Sequence, residues 1–260
     1  MRKVVLLLCL ALPAFHRGFA QFYFTADLGQ VTTTYGDPKN GKYKEAEPSS
    51  PYGAFGLGMI LFGHSQRTHG VNFSANFDAK LPFAQQYPAN VTDTSNLGNP
   101  IEFGFSGLVN YRYKAVAVGA GLDVRDFLMT NDPSYSSAFD RPDQWLIGIP
   151  VIGKVTFGPG GRAYVQGGGT FYVSDYASTT VTDQTSGISA TISNGIFALD
   201  PNRVSNELRI GGGYMFGHWG LRANYSHRDV YFMVTGVNAP EGFYDMQQNL
   251  VSGGFVLTTF

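Results

Sequence analysis

The chain has 260 residues, of which 14% are charged and 15% aromatic, with 33 glycines, one cysteine and a formal net charge of −1. That mix lacks the Leu, Ala, Glu and Lys load of a soluble helical domain. A single cysteine excludes an internal disulfide, and the near-neutral charge offers nucleic acid no basic stripe.

The first twenty residues stand apart. Arg2 and Lys3 form a short positive segment, Val4 to Ala14 form an apolar run, and Gly18-Phe19-Ala20 supplies small residues for cleavage. That order is the grammar of a secretory signal. The run is too short for a spanning helix, which needs about 20 apolar residues. Cys9 lies inside it behind Leu8, where a lipoprotein signal requires a small residue. Residues 1–20 are therefore read as a cleavable signal peptide and residues 21–260 as one domain. Without Arg2, Lys3 and Arg17 the mature chain carries a net charge of −4 and no cysteine.

Beyond Ala20 the dominant signal is alternation with a period of two, the mark of strands with one apolar face. In residues 71–81, Val71, Phe73, Ala75, Phe77, Ala79 and Leu81 alternate with Asn72, Ser74, Asn76, Asp78 and Lys80. Residues 101–113 and 116–125 repeat the pattern, and two more strands are read at Trp145–Phe157 and Asn206–Phe216. Pro150 falls inside one of these and cannot donate to a ladder.

Alternation alone also fits a secreted β-sandwich. Strand lengths near 10–13 residues favour a membrane barrel, because globular strands usually run about 5–6 residues and a tilted membrane strand needs about 9–11. Short turns fall near Gly63–Gly70, Lys114, Gly158–Gly161 and Gly217–Gly220. Long polar segments fall at 34–51, 84–100, 129–143, 174–205 and 229–247. Such asymmetry is typical of outer-membrane barrels. Aromatics gather beside the turns (Phe62, Tyr111, Tyr113, Phe157, Phe216, Trp219, Phe260) and beside the long segments (Tyr52, Phe83, Phe127, Trp145, Tyr172). They are read as two interfacial girdles. Four turns and five long connections predict a closed, antiparallel, up-and-down transmembrane β-barrel of about ten strands, or eight if one weak hairpin is loop. Closure follows because an unpaired edge is costly in hydrocarbon.

With its mature start FYFTADLGQV, its hairpin rhythm and its terminal GGFVLTTF, the chain resembles the small bacterial outer-membrane β-barrel proteins of the opacity-protein type across residues 21–260. The resemblance implies residence in the outer membrane, among its lipids, after insertion by the barrel-assembly machinery, which reads the last strand. That strand departs from the family pattern: Val251, Phe255 and Leu257 are out of register with Phe260, Thr258 and Val256.

The long segments total net −8, and strands with turns total +4. Arg67, Arg112, Lys114, Lys154, Arg162 and Arg222 are placed at the turn end with no acid among them. They suit either an anion-attracting mouth or contact with lipid head groups. Inward positions nearer the long segments carry Asp78, Lys80, Glu102, Asp123, Arg125, Glu207, Arg209 and Arg228. Charges inside a membrane protein are expensive unless paired or hydrated, and a barrel this small has an interior that side chains fill. These eight are read as a structural charge network in a filled lumen.

His227-Arg228-Asp229 at the outer rim places a His beside an acid, as a general base requires. It matches no rim-enzyme pattern, and no catalytic, metal or cofactor residue is assigned. His64, His69 and His218 lie in turns. The Gly167–Gly169 and Gly211–Gly213 runs precede neither a helix nor Lys-Ser/Thr, so they are not phosphate loops. The reading is a non-enzymatic surface barrel, structural or binding an unknown surface ligand through its loops and not nucleic acid. A narrow solute channel and a rim-site lipid- or peptide-modifying enzyme are the alternatives. N-terminal sequencing of the exported protein is expected to begin at Gln21, with the protein recovered in outer membranes; recovery in soluble form without detergent would remove the membrane reading.

Overall fold

The computed structural model describes residues 20–36, 49–62, 69–83, 99–128, 143–182, 189–193, 205–234 and 242–259. Residues 1–19, His64, Arg67 and Phe260 lie outside them. Eleven strands follow in chain order: β1 (Ala20–Gly36), β2 (Ser49–Phe62), β3 (His69–Pro82), β4 (Ile101–Tyr113), β5 (Val116–Leu128), β6 (Asp143–Phe157), β7 (Ala163–Thr182), β8 (Ser189–Ser193), β9 (Asn206–Met215), β10 (Trp219–Val234) and β11 (Gly242–Thr258). Ten of them form a closed ring in which every strand pairs antiparallel with its chain neighbours. The β1–β11 and β6–β7 ladders complete the ring. β8 pairs only with the end of β7 at Ser178–Thr182, inside the fourth long connection.

Closure satisfies the backbone of every barrel strand on both sides, which an apolar medium demands. Both ends of the described chain lie at the turn side, where the Phe22 amide donates to the Thr259 hydroxyl at 3.0 Å and the Thr259 amide donates to the Phe22 carbonyl at 2.9 Å. The strands overrun the expected boundaries on the loop side. β10 and β11 stay paired as far as Val234–Gly242, whereas β9 stops opposite Asp229.

Facing follows the sequence period. On β3 and β4, Phe77 and Phe105 are cross-strand partners and each is about half exposed, while Asp78 and Glu102 point inward. Leu28, Leu57, Phe73, Val109, Leu122, Ile149, Leu208, Ile210, Leu221, Val251 and Phe255 continue this apolar exterior around the ring. An apolar belt of this extent has no place in water; it is the lipid face of a membrane barrel. On β11, Val251, Phe255 and Leu257 share that outer face, and Val256 is buried on the inner one.

The turn-side girdle is present on the outside. Tyr111, Tyr113, Phe157, Phe216 and Trp219 are exposed, with Phe216 stacked on Trp219 at a centroid distance of 4.6 Å. The loop-side girdle needs correction. Phe83 and Trp145 face outward, but Tyr52, Phe127 and Tyr172 are buried in the lumen. Their parity decides it, since Phe127 shares a face with Asp123 and Arg125.

Pro150 stays within β6 opposite Thr170. The β5–β6 ladder is interrupted between Ala120–Val151 and Asp123–Gly148, so the donor that proline lacks is not required there. One register shift occurs opposite Ile147 and Gly148, where β7 accommodates an extra residue, Val173, between Tyr172 and Ser174. The extra residue falls beyond Tyr172, which keeps the inward parity of Tyr164, Gln166 and Thr170.

The facing predicts an asymmetric response on one hairpin. Phe77→Arg or Phe105→Arg is expected to cost about 2–4 kcal/mol near the bilayer midplane. Asn76→Arg on the lumen face is expected to cost less; equal losses by equilibrium unfolding in bilayers would contradict the assigned faces.

Candidate functional site

The lumen is built from inward parities, and its two halves differ in residue size. Toward the loops the inward side chains are large: Glu102, Arg125, Phe127, Leu146, Tyr172, Glu207 and Arg228 are all buried. Toward the turns many are small, including Ser74, Ser106, Ala117 and Gly211, and they stand among a few long ones such as Tyr23, Arg112, Lys154, Tyr164 and Arg222. The expectation of a lumen filled throughout therefore holds only for the loop-side half. Below it lies a cavity of about 910 Å³, whose lining reaches the turn residues Ala115, Gly160, Arg162 and His218.

All eight charged residues singled out from the sequence lie in one connected cluster. Arg125 is 1% exposed. Its Nη1 donates to Asp78 Oδ2 at 2.7 Å and Glu102 Oε1 at 2.9 Å, and its Nε donates to Asp123 Oδ2 at 2.8 Å. Arg228, with 0% exposure, donates from Nη1 to Glu102 Oε2 at 2.6 Å and from Nη2 to Glu207 Oε1 at 3.1 Å. Lys80 Nζ holds both oxygens of Glu102 at 2.9 and 3.0 Å. Arg209 Nη2 meets Glu207 Oε2 at 2.7 Å and stands 3.7 Å from Asp123 Oδ2. Charge-assisted bonds of this kind are about twice as strong as neutral ones.

The Glu102–Arg228 pair spans the barrel. β4 and β10 lie five places apart in the ten-strand ring, hence on opposite walls. The cluster thus ties walls that share no backbone hydrogen bond. Two of its features were not legible as site residues. The Tyr172 hydroxyl lies 3.1 Å from Glu207 Oε2 and 3.4 Å from Asp123 Oδ2, and the Phe127 ring sits 5.3 Å from the Arg228 guanidinium carbon. Inward parity is the signal that finds both.

A repeated arrangement supports these long side chains. Asp78, Gly104 and Arg125 occupy one row across β3, β4 and β5. A Cβ at Gly104 would stand 2.3 Å from Arg125 Nη1, so only glycine lets the guanidinium cross to Asp78. The same device recurs in the row Asp27–Gly254–Arg222 across β1, β11 and β10. Arg222 holds Asp27 with two bonds, at 2.8 and 2.6 Å. This corrects the view that the turn-end cations have no acid among them: Asp27 is there. Arg112, Lys154 and Arg222 point into the cavity and Arg162 lines its mouth, whereas Lys114 sits in the exposed β4–β5 turn at φ 52°.

Above the cluster, Asn99 plugs the rim between β1 and β2. Its side chain is bonded to Thr33 and donates to Ser50 Oγ at 2.9 Å, and Gln248 Nε2 donates to Thr33 Oγ1 at 3.0 Å. An apolar group of Val31, Tyr52, Ala54 and Leu250 fills the space beneath.

The rim tripeptide is divided by the strand period. Arg228 belongs to the buried cluster. His227 contacts Asn249 Oδ1 through Nδ1 at 2.9 Å, and its Nε2 is 3.8 Å from Asp229. Tyr225 donates its hydroxyl to the same Asn249 oxygen at 2.9 Å. His69 and His218 are exposed at the turn end.

No protein-family model and no curated protein matches the chain. Among solved structures, the outer membrane protease OmpT from Escherichia coli aligns over 94% of this chain and 98% of its own, at 10% identity and a TM-score of 0.47. Neisserial surface protein A (NspA) aligns over 91% and 96%, at 11% identity and a TM-score of 0.36. Ail, the attachment invasion locus protein of Yersinia pestis, aligns over 91% and 99%, at 8% identity and a TM-score of 0.32.

Glu102 is the anion shared by three cations, so its removal tests the cluster. Glu102→Gln is expected to destabilise the barrel by about 3–5 kcal/mol, the usual result of leaving a buried charge unpartnered. A lower temperature for loss of the compact form, comparing boiled with unboiled samples on a gel, reads this out. Adding Lys80→Gln restores the charge balance and is expected to recover part of the loss.

Proposed function

We propose that the chain is an outer-membrane barrel that acts through its loop-side surface, as scaffold or receptor for an external ligand, and neither conducts solutes nor performs catalysis. In the proposed orientation the tight turns face the periplasm and the long connections face outward, the usual arrangement of such barrels. The observation that carries this reading is the Glu102–Arg228 bridge between opposite walls, embedded in a cluster of eight ionised groups. Four acids and four bases balance there. An ion-selective pore favours an excess of one sign at its narrowest point, and no such excess exists at this constriction.

The external rim supports the non-catalytic part. Among the described residues no hydroxyl hydrogen-bonds the His227 ring, so the His227–Asp229 pair lacks the nucleophile that a base would activate. With the lumen closed, the surface remaining for an external partner is that of the long connections, whose charge is net −8. Assembly through the barrel-insertion machinery completes the proposal, with the outward row Val251, Phe255 and Leu257 of β11 as the apolar face available to it.

Planar-bilayer recording tests the reading. The purified protein is expected to show little or no steady conductance. A stable open channel whose ion selectivity changes in Glu102→Gln or Arg228→Gln would replace it with the narrow-channel function.

A further inference from the structure

The turn-side cavity holds a charge pattern that the rest of the lumen does not share. The eight-group cluster is balanced, and Asp27 neutralises Arg222. Arg112, Lys154 and Arg162 remain, and among the described residues none of the three forms an ion pair. All three line the cavity.

Two of them repeat the lumen's crossing row with the acid exchanged for a base. Arg112 on β4 and Lys154 on β6 flank Ala117 on β5. Two strand spacings of about 4.8 Å put their backbones roughly 10 Å apart, and the single methyl of Ala117 leaves the space between them open. In the rows Asp78–Gly104–Arg125 and Asp27–Gly254–Arg222 a cation reaches over a small residue to its anion. In the row Arg112–Ala117–Lys154 two cations flank the small residue, and the described residues provide no anion.

Both are held in place by neutral groups. Arg112 Nε donates to the Lys114 carbonyl at 3.0 Å, which leaves its terminal amino groups for other acceptors. Lys154 Nζ stands 4.2 Å from the centre of the Tyr164 ring. The inward parity of both turns them toward the cavity and away from the lipid around the barrel wall. Charges in a membrane interior persist where a partner or ligand meets them, and low-dielectric walls of one sign focus the field on a small ion. A volume of about 910 Å³ falls within the range of small-molecule sites.

We propose that this vestibule binds a phosphate group, carried by a small solute or by a lipid head group entering at the mouth from the turn side. Arg112 offers a planar fork to the oxygens and Lys154 a point charge, the two ways proteins hold phosphate. Ser106 and Gln166 line the same space and supply neutral donors. Arg162 at the mouth draws the anion in. The closed loop-side cluster makes the vestibule a blind site and not a passage.

The test uses the folded mature barrel in neutral detergent, titrated with inorganic phosphate at low ionic strength by calorimetry. Saturable binding is expected. Arg112→Gln and Lys154→Gln are each expected to weaken it at least tenfold, while Lys114→Gln, outside the cavity, leaves it unchanged. Neither of the first two changes strands a buried acid, and unboiled gel migration verifies that each variant is closed. Repeating the titration in vesicles of phosphatidylcholine, with and without phosphatidylglycerol, separates the sources. Binding in both as strong as in detergent assigns a soluble ligand; loss in either vesicle assigns a lipid head group as the competitor. No saturable binding by the unmodified barrel, binding that survives both inner substitutions, or equal loss in Lys114→Gln overturns the proposal.

Discussion

An apolar medium offers backbone amides and carbonyls no partner except one another, and this constraint shapes everything else in the chain. A strand edge left open in hydrocarbon costs several kcal/mol per unpaired group, so the sheet has to return on itself. The β1–β11 ladder, with fourteen residue pairs, joins the two ends of the described chain. Once the ring is closed, each strand has one face toward lipid and one toward the lumen, and the period of two becomes an address for every side chain.

That address explains why the lumen is so polar. With the lipid face taking the apolar residues, the inner face collects what lipid rejects, and ten strands enclose more space than small side chains fill. Large ionised groups close the loop-side half; in the turn-side half serines, alanines and glycines stand among the longer side chains and leave a cavity open. Glycines at Gly104 and Gly254 have a defined task here. Each removes the side chain that would stand between an acid and an arginine two strands away.

The two halves also separate two uses of buried charge. Paired acids and bases across opposite walls brace a ring whose strands otherwise contact only their neighbours. Replacing such a network by apolar groups is often neutral for stability, whereas breaking one pair is costly, so the cluster is better described as fixing the cross-section than as adding net stability. Unmatched cations in the vestibule brace nothing. Their retention beside a wide polar cavity is what gives that end of the barrel a chemistry of its own.

Composition and strict alternation at 71–81, 101–113 and 116–125 determined the fold class, a count of about ten strands and the inward set of eight charges, because facing in a strand is a local property read from parity. Parity also contained the inward positions of Tyr52 and Phe127, which proximity to the long segments obscured. Val173 is different: a bulge adds a residue without a sequence mark, and only the paired strands reveal it. Which charges meet was decided by the tertiary structure alone. Glu102 and Arg228 are 126 residues apart, and their contact depends on ring closure and strand stagger, which set heights on opposite walls and leave no trace in either strand's own sequence. The same long-range geometry placed Asp27 beside Arg222 and left Arg112 and Lys154 facing open space.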